Sequence, residues 1–289
     1  MDTETNLQLT ADTIAQQIDG QSIDASLVLG SGLSDLNYLN SASDSEIPEH
    51  STEILFESPY TEIPGMPTST APTHKGVLSV VKVGSLTLLV FQGRFHLYEG
   101  HSPRDAATTS YLSKALGAKQ IIFTNAAGGL NPDLNPGDIM LVNDHINFTG
   151  QSPLTGNNDS DPSLRFPDMS RAYDPQLQAL ALSCAKKLEL PLKQGIYAGV
   201  NGPELETSAE RRHMRASGCD AIGMSLVMET IGAVHCGLEV LALSAITNVA
   251  TGGADQPVDS IETILENADI AAKKLETLIP TVIQHLPKG

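Results

Sequence analysis

IIFTNAAGGL, at residues 121–130, has the pattern of a buried β-strand that ends in small residues. Small residues let a backbone and a ligand approach each other closely. In open α/β sheets, ligands bind beyond the carboxyl ends of the strands. The stretch therefore favours an α/β fold with a site at the end of this strand, although a plain packing role for Ala126 and Gly128 fits these residues equally well.

Similar apolar runs occur along the rest of the chain, with helical patterns between many of them. The predicted strands cover residues 27–29, 77–83, 86–91, 120–123, 139–142, 195–200 and 238–246. The predicted helices cover roughly residues 10–19, 103–117, 174–188, 207–217, 226–236 and 260–285. At the start of the last helix, Asp259 and Glu262 have the spacing of a capping box. The alternation predicts an α/β protein without an internal repeat.

The domain organisation follows from the composition of two long segments. Residues 40–73 and 149–173 are rich in Ser, Pro, Asp and Gly, which is typical of loops rather than of regular structure. Loops of this length inside a compact domain tend to be lids or binding loops. We therefore predict a single domain that covers residues 1–289.

The composition excludes two kinds of partner. Asp and Glu number 34 against 17 Lys and Arg, so the formal net charge is −17. This charge repels a nucleic-acid backbone over most of the surface. No apolar stretch approaches the roughly 20 residues of a membrane helix. We expect neither nucleic acid nor a membrane as a partner.

The cysteines and the N-terminal segment predict the compartment. Cys184, Cys219 and Cys236 are odd in number and lack the CxxC spacing, so we expect free core thiols rather than disulfides or a structural zinc site. The first residues lack the basic start and apolar run of a signal peptide. Together these features predict a cytoplasmic location.

A Gly-Ser-Gly turn follows the first strong strand pattern. Its backbone N–H groups and the Ser31 hydroxyl can hold an anion, but a simple tight turn accounts for the same residues. The dinucleotide fingerprint requires a third glycine three residues after Gly32, where this chain has Asp35. The sequence therefore disfavours a Rossmann cofactor site.

Arg94, His96 and Tyr98 alternate directly after the strand predicted at 86–91. If the extended conformation continues, all three side chains leave on one face. Arg94 can bind an oxyanion with its fork of donors, and His96 can add another donor. A solvated strand end is the alternative for each residue singly, but it explains the group poorly.

Three polar residues and one methionine in the second half of the chain each have an ordinary structural explanation. Glu206 can oppose a helix dipole, and Met224 can fill the core. Ser225 can cap a helix, and Asn248 can satisfy a turn. None of them decides a function alone.

Seven motifs occur in this order along the chain: GSGL, QGRFHLYEGH, TNAAGGLN, GDIMLVNDHIN, GPELET, GMS and SAITN. Together they resemble the trimeric purine nucleoside phosphorylase family, which includes the methylthioadenosine phosphorylases, from about residue 25 to about residue 285. The resemblance implies one α/β domain with a central mixed twisted sheet flanked by helices. It also implies a homotrimer and a pentosyltransferase that cleaves purine nucleosides with inorganic phosphate.

The resemblance gives each motif residue a role. It implies a phosphate site of Ser31, Arg94, His96, the backbone of Ala126, and Ser225. It implies a ribose site of Tyr98 and Met224, with Ser260 nearest to the position where many members have a histidine on the 5′-hydroxyl. It implies a purine site of Glu206, Asn248, Leu205 and Ile222. The implied catalytic residues are Asn248, Glu206 and His96.

The chemistry of phosphorolysis fits these residue types. Departure of the purine leaves positive charge on the ribose and negative charge on the base, so an anion and hydrogen-bond donors are both needed. Phosphate is the anion and the nucleophile. Asn248 can donate to N7, while Glu206 accepts from N1–H. No metal, covalent intermediate or organic cofactor is required.

The base-binding pair also predicts the substrate. In the methylthioadenosine relatives an Asp stands where this chain has Asn248, so Asn248 with Glu206 predicts inosine, guanosine and their deoxy forms, and adenosine is expected to be a poor substrate. Methylthioadenosine or xanthosine phosphorylases of the same fold are alternatives. A nucleoside-binding protein without catalysis is a third, and the full set of phosphate residues disfavours it.

The sequence departs from the family pattern in three places. Residues 236–284 contain no histidine, so the 5′-hydroxyl contact is missing. Where mammalian relatives place a Phe over the ribose of the neighbouring subunit, this chain offers Pro162 and Leu164. Leu205 replaces an aromatic that packs against the base. We therefore expect looser discrimination at the 5′ position.

Overall fold

The structure, a computed structural model, describes residues 3–30, 52–254, 256 and 258–287. The strands within these residues are β1 (Ala25–Leu29), β2 (Thr52–Pro59), β3 (Val77–Val83), β4 (Leu86–Gln92), β5 (Gln120–Gly129), β6 (Ile139–Asn147), β7 (Leu192–Gly199), β8 (Ala221–Gly223) and β9 (Glu239–Val249). The α-helices are α1 (Thr3–Gln17), α2 (Pro103–Ala106), α3 (Thr108–Ala115), α4 (Pro162–Arg165), α5 (Pro175–Lys187), α6 (Ser208–Ala216), α7 (Val227–His235) and α8 (Ile261–Gln284).

The strands form one mixed sheet in the order β2-β3-β4-β1-β5-β8-β7-β6-β9. β1 is parallel to β4 and β5, and β5 is parallel to β9, so these four strands end at the same edge. Because β9 pairs with both β5 and β6, the strands β5, β8, β7, β6 and β9 close into a ring. The mixed α/β class predicted from the sequence is confirmed.

Helices cover both faces of the central strands. Val28 and Phe123 are buried in a cluster that includes residues of α1, α3 and α7. Leu27 and Ile122, their neighbours along the strands, are buried in a second cluster with residues of α5 and α8. Full burial of a Leu, Ile or Phe contributes about 1.5–3 kcal/mol. Since alternate side chains are buried on opposite faces, these strands are continuous apolar runs rather than alternating ones.

Two strands were missed by the sequence analysis. β2 lies inside segment 40–73, and the prediction of a loop is wrong for its residues. Most side chains of β2 are exposed or half-exposed, because it is the edge strand beside β3. It therefore lacks the apolar run by which a buried strand is recognised. β8 has only three residues, too few for a periodic pattern.

Several helix bounds also differ from the prediction. The helix predicted at 103–117 is two helices, α2 and α3, which are separated at Ala107. α1 begins at Thr3, earlier than predicted. Segment 149–173 contains the short helix α4.

The capping box expected at the start of α8 does not form. Ser260 is the N-cap residue, and its side chain makes no cap hydrogen bond. Asp259 instead accepts hydrogen bonds from Asn248 and Arg211, which are distant in sequence. The capping box predicted from the spacing of Asp259 and Glu262 is therefore wrong, because the Asp259 carboxylate accepts hydrogen bonds from other segments of the chain.

No helix in the described part of the chain is long and apolar enough to cross a membrane. Cys184, Cys219 and Cys236 are free thiols.

Candidate active site

A cavity of about 330 Å³ lies beside the carboxyl ends of β1, β5 and β9. Of the predicted phosphate residues, those that line it are Arg94, His96, Ala126 and Ser225. Of the predicted base and ribose residues, those that line it are Tyr98, Leu205, Glu206, Ile222, Met224 and Asn248. The structure thus brings together residues from six of the seven motifs, and the motif GSGL contributes its first residue, Gly30. Ser31 lies outside the described residues.

Arg94 lines the cavity although it is only 1% exposed. Its Nη2 donates to the carbonyl oxygen of Thr124 at 2.5 Å, and its Nε lies 3.6 Å from Glu229 Oε2. Among the described residues, neither Nε nor Nη1 of Arg94 has a hydrogen-bond partner. A buried guanidinium with unused donors is suited to bind an oxyanion.

His96 is held in place by Glu99. Its Nδ1 lies 2.7 Å from Glu99 Oε1, and its backbone N–H donates to the same oxygen at 3.0 Å. Burial raises the pKa of Glu99, but hydrogen bonds from His96 and Thr70 outweigh this effect and lower the pKa to about 2. Because the carboxylate occupies Nδ1, the Nε2 atom of His96 is left for another partner such as hydrogen phosphate.

The backbone that carries Arg94, His96 and Tyr98 to the cavity differs in part from the prediction. β4 ends at Gln92, and a 3-10 helix over Leu97–Glu99 begins directly after His96. The rings of His96 and Tyr98 stack with their centroids 4.6 Å apart. The backbone of His96 is extended, as predicted, whereas Tyr98 reaches the cavity from a helical turn and not from a continued strand.

His74 was missed by the sequence analysis, yet it lines the cavity. Its ring stacks on His96 with centroids 5.2 Å apart, and its Nδ1 accepts the backbone N–H of Arg94 at 3.3 Å. Burial, followed by the charges of His96 and Arg94, lowers the pKa of His74 to about 3. The ring is therefore neutral and carries its proton on Nε2, which can donate. No local sequence pattern distinguishes His74 within its loop.

Ser225 stands directly before a strained turn. Leu226 has φ 70° and ψ −49°, and the N–H of Val227 donates to the carbonyl oxygen of Ser225 at 2.8 Å, which is the rare form of the γ-turn. The N–H of Leu226 donates to Glu229 Oε2 at 3.2 Å. Glu229 therefore supports both this turn and Arg94. Such strain persists where the surroundings enforce it, and it is common at functional sites.

Glu206 is a largely buried carboxylate in the same cavity. Burial raises the pKa of Glu206, the guanidinium of Arg211 opposes this effect, and the carboxylate of Asp259 adds to it. Nε of Arg211 lies 3.5 Å from Glu206 Oε2. The carboxylate can accept a hydrogen bond from a ligand N–H group.

Asn248 is fixed from two sides. Its Nδ2 donates to Asp259 Oδ1 at 2.7 Å, and its Oδ1 accepts from the hydroxyl of Thr247 at 3.0 Å. An ionised carboxylate only accepts, so the contact with Asp259 settles which end of the amide is the NH₂ group. Because an NH₂ group has two hydrogens, and only Asp259 among the described residues accepts from it, one N–H of Asn248 can donate to a ligand.

Apolar side chains line another part of the cavity. They include Leu205, Ile261 and Ile264, and Ile261 is 69% exposed. Ser260, predicted nearest to the ribose 5′-hydroxyl, is not in the described lining of the cavity. Its hydroxyl donates to Glu262 Oε2 at 2.7 Å instead. The structure therefore does not bring Ser260 together with the other predicted ribose residues.

Comparison with known proteins assigns the family. The model of the phosphorylase superfamily matches residues 41–284. Purine nucleoside phosphorylase 1 of Bacillus subtilis is 42% identical over 259 residues, which are 90% of this chain and 91% of that protein. This chain belongs to the purine nucleoside phosphorylase family.

Other members of the purine nucleoside phosphorylase family are also similar to this chain in sequence and in structure. The purine nucleoside phosphorylase of Bos taurus is 42% identical over 234 residues, 79% of this chain and 81% of that protein. The crystal structure of purine nucleoside phosphorylase isoform 2 from Schistosoma mansoni, in complex with cytosine and ribose-1-phosphate, has a TM-score of 0.82 and 34% identity. The alignment covers 99% of this chain and 98% of that one. The enzyme class predicted from the sequence, a pentosyltransferase, is confirmed.

Proposed function

We propose that the chain catalyses the reversible phosphorolysis of 6-oxopurine ribonucleosides and deoxyribonucleosides, with inosine and guanosine as substrates. The products are the free base and ribose or deoxyribose 1-phosphate. The observation that carries the proposal is that Arg94, whose Nη1 has no hydrogen-bond partner among the described residues, shares one cavity with Glu206 and Asn248. A phosphate anion and a purine base require these two sets of groups in one place.

The reaction replaces one bond to the anomeric carbon of the sugar with another. A phosphate oxygen forms a bond to C1′ while the bond from C1′ to N9 breaks, and the electron pair of the broken bond stays on the base. Arg94, His96 and His74 offer hydrogen-bonding groups to phosphate. The free N–H of Asn248 stabilises the negative charge that develops at N7.

Glu206 accounts for the proposed choice of base. Hypoxanthine and guanine carry a proton on N1, which a carboxylate can accept in a hydrogen bond. Adenine has an unprotonated N1 with a lone pair, which faces the carboxylate unfavourably. A site built to accept N–H discriminates strongly against a base that lacks it, because a buried acceptor is then left unpaired.

The test is the release of free base from a panel of nucleosides with and without inorganic phosphate. The panel contains inosine, guanosine, xanthosine, adenosine and methylthioadenosine. Cytidine is included because the Schistosoma mansoni relative was crystallised with cytosine. Phosphate-dependent cleavage of inosine and guanosine is the expected result. Cleavage without phosphate, or a preference for methylthioadenosine or cytidine, contradicts the proposal.

Assembly, cofactors and location are part of the same proposal. A homotrimer is supported by two exposed apolar side chains near each other in sequence, Leu164 (39% exposed) and Phe166 (74% exposed), which a partner subunit would cover. Light scattering should give three times the 30.6 kDa of one chain, and a monomer would contradict the trimer.

Activity should survive a chelator because no metal or organic cofactor takes part. The cytoplasmic location stays a prediction for cell fractionation.

A further inference from the structure

A buried ion pair lies next to the residues proposed to bind the base. Nη2 of Arg211, on α6, donates to Oδ2 of Asp259, directly before the N-cap of α8, at 2.6 Å. The side chains are only 3% and 11% exposed. Neither belongs to the described lining of the cavity. Two charges are therefore held away from water without contacting the cavity themselves.

Each partner of this ion pair contacts a different residue of the cavity. Asp259 uses its second oxygen, Oδ1, to accept from Asn248 Nδ2 at 2.7 Å. Arg211 places Nε 3.5 Å from Glu206 Oε2. The four side chains thus form one continuous network, in the order Glu206, Arg211, Asp259, Asn248.

Asp259 determines the orientation of the Asn248 amide. If the amide turned over, its Oδ1 would face a carboxylate oxygen, and two acceptors would meet in a buried place. With Asp259 present, the NH₂ group stays on the side of Asp259. Without Asp259, the hydroxyl of Thr247 still contacts the amide, but a hydroxyl can donate to the amide oxygen or accept from the NH₂ group. Either end of the amide can then face the base, so the site should discriminate less between a 6-amino and a 6-oxo group.

Arg211 determines the charge on Glu206. Among the described residues, the charged groups that face Glu206 are Arg211 on α6 and Asp259 before α8. Removal of Arg211 leaves two carboxylates close together without a cation, which favours the protonated form of one of them. A protonated Glu206 loses the acceptor that N1–H requires.

We propose that Arg211 and Asp259 are positioning residues that set the preference for 6-oxopurines, Asp259 by orienting the amide of Asn248 and Arg211 by keeping Glu206 an acceptor. This inference rests on the proposed function, because it assumes that Glu206 and Asn248 bind the base. It assigns the choice of base to a network behind the cavity as well as to the two residues within it.

The test compares kcat/KM for inosine and adenosine in the wild type, Asp259→Ala and Asp259→Asn. The ratio of inosine to adenosine should fall by about tenfold or more in Asp259→Ala, the size of effect expected when a hydrogen bond to a charged group is lost. The ratio for Asp259→Asn should lie between those of the wild type and Asp259→Ala. The single oxygen of the amide can accept from only one of the two donors, Arg211 and Asn248. The ratio of the inhibition constants of hypoxanthine and adenine compares the binding of the two bases in the same variants. This measurement does not require turnover of adenosine.

A second experiment addresses Arg211. In Arg211→Met, the acidic side of the pH profile of kcat/KM for inosine should move to higher pH, and Arg211→Lys should restore most of it. The matched control is Arg215→Met, which removes a different arginine of α6 that pairs with Asp220 at 2.7 Å outside the cavity. Neither the base ratio nor the pH profile should move in this control. Thermal unfolding establishes that each variant is folded.

The outcomes separate this inference from the proposed function. A folded Asp259→Ala variant that loses inosine and adenosine turnover by the same factor, with an unchanged ratio of hypoxanthine to adenine inhibition, overturns the positioning role of Asp259. An unchanged pH profile in Arg211→Met overturns the role of Arg211. Failure of the wild type itself to cleave inosine with phosphate contradicts the proposed function instead.

Discussion

Oε1 of Glu99 lies 2.7 Å from Nδ1 of His96, and both side chains are almost entirely buried. The same carboxylate accepts hydrogen bonds from the backbone and the hydroxyl of Thr70. Glu99 therefore fixes the ring of His96 and leaves Nε2 as the nitrogen that can meet phosphate. A substitution of either residue should therefore alter the hydrogen bonding of the other.

Glu99→Gln should weaken phosphate binding more than nucleoside binding. The neutral amide keeps the shape of the side chain but loses the charge-assisted hydrogen bond, which is worth roughly 1.5–3 kcal/mol. We expect the KM for phosphate to rise by about tenfold or more. Initial rates at varied phosphate and varied inosine measure the two KM values separately. Equal increases in both would show that Glu99 does not act through the phosphate site.

Glu99 should also contribute stability that depends on pH. Its pKa of about 2 lies below the ordinary value of 4.5, so its contribution is present above pH 4.5 and is lost as the pH falls towards 2. The difference in the free energy of unfolding between the wild type and Glu99→Gln should therefore be constant at neutral pH and shrink below about pH 4.5. Urea unfolding at a series of pH values measures it. A difference that grows on acidification is the contrary result.

Arg94→Lys should separate charge from geometry in the phosphate site. Lysine keeps a positive charge near Glu229 but lacks the planar fork of donors that matches an oxyanion. We expect the KM for phosphate to rise by roughly tenfold to hundredfold, with a smaller change for inosine. Arg104→Lys is the matched control, because Arg104 stacks on the ring of Tyr111 outside the cavity. A similar loss in both variants would argue against a phosphate role for Arg94.

The 5′ position of the sugar should be weakly discriminated. Ile261 and Ile264 line the cavity, while the hydroxyl of Ser260 is engaged with Glu262. Loss of a 5′-hydroxyl should therefore leave few unpaired protein groups, and kcat/KM for 5′-deoxyinosine should lie within about tenfold of that for inosine. Parallel assays of the two nucleosides measure the ratio. A preference for inosine of a hundredfold or more would reveal a polar 5′ contact.

Part of the site could be predicted because three of its residues lie at or after strand ends, whereas the roles of Glu206, Met224 and Ser225 came from the resemblance of the motifs to the family. Arg94 comes after β4, Ala126 lies in the last part of β5, and Asn248 lies near the end of β9. Parallel neighbours carry such residues to one edge of the sheet whatever the detailed packing. His74 could not be predicted in this way, because it belongs to a loop and reaches the cavity through contacts with Arg94 and His96.

Hydrophobic periodicity and strand ends are local properties of the chain, so the α/β class, the buried strands and the residue types proposed to bind an anion and a base could be predicted from the sequence. The contacts of Asp259, in contrast, are defined only by the folded arrangement of the chain. Its spacing to Glu262 predicts a capping box, but Arg211, 48 residues away, and Asn248, 11 residues away, hold both of its carboxylate oxygens. A buried carboxylate takes the partners that satisfy it best, and those partners are defined by the packing of distant segments rather than by neighbouring residues.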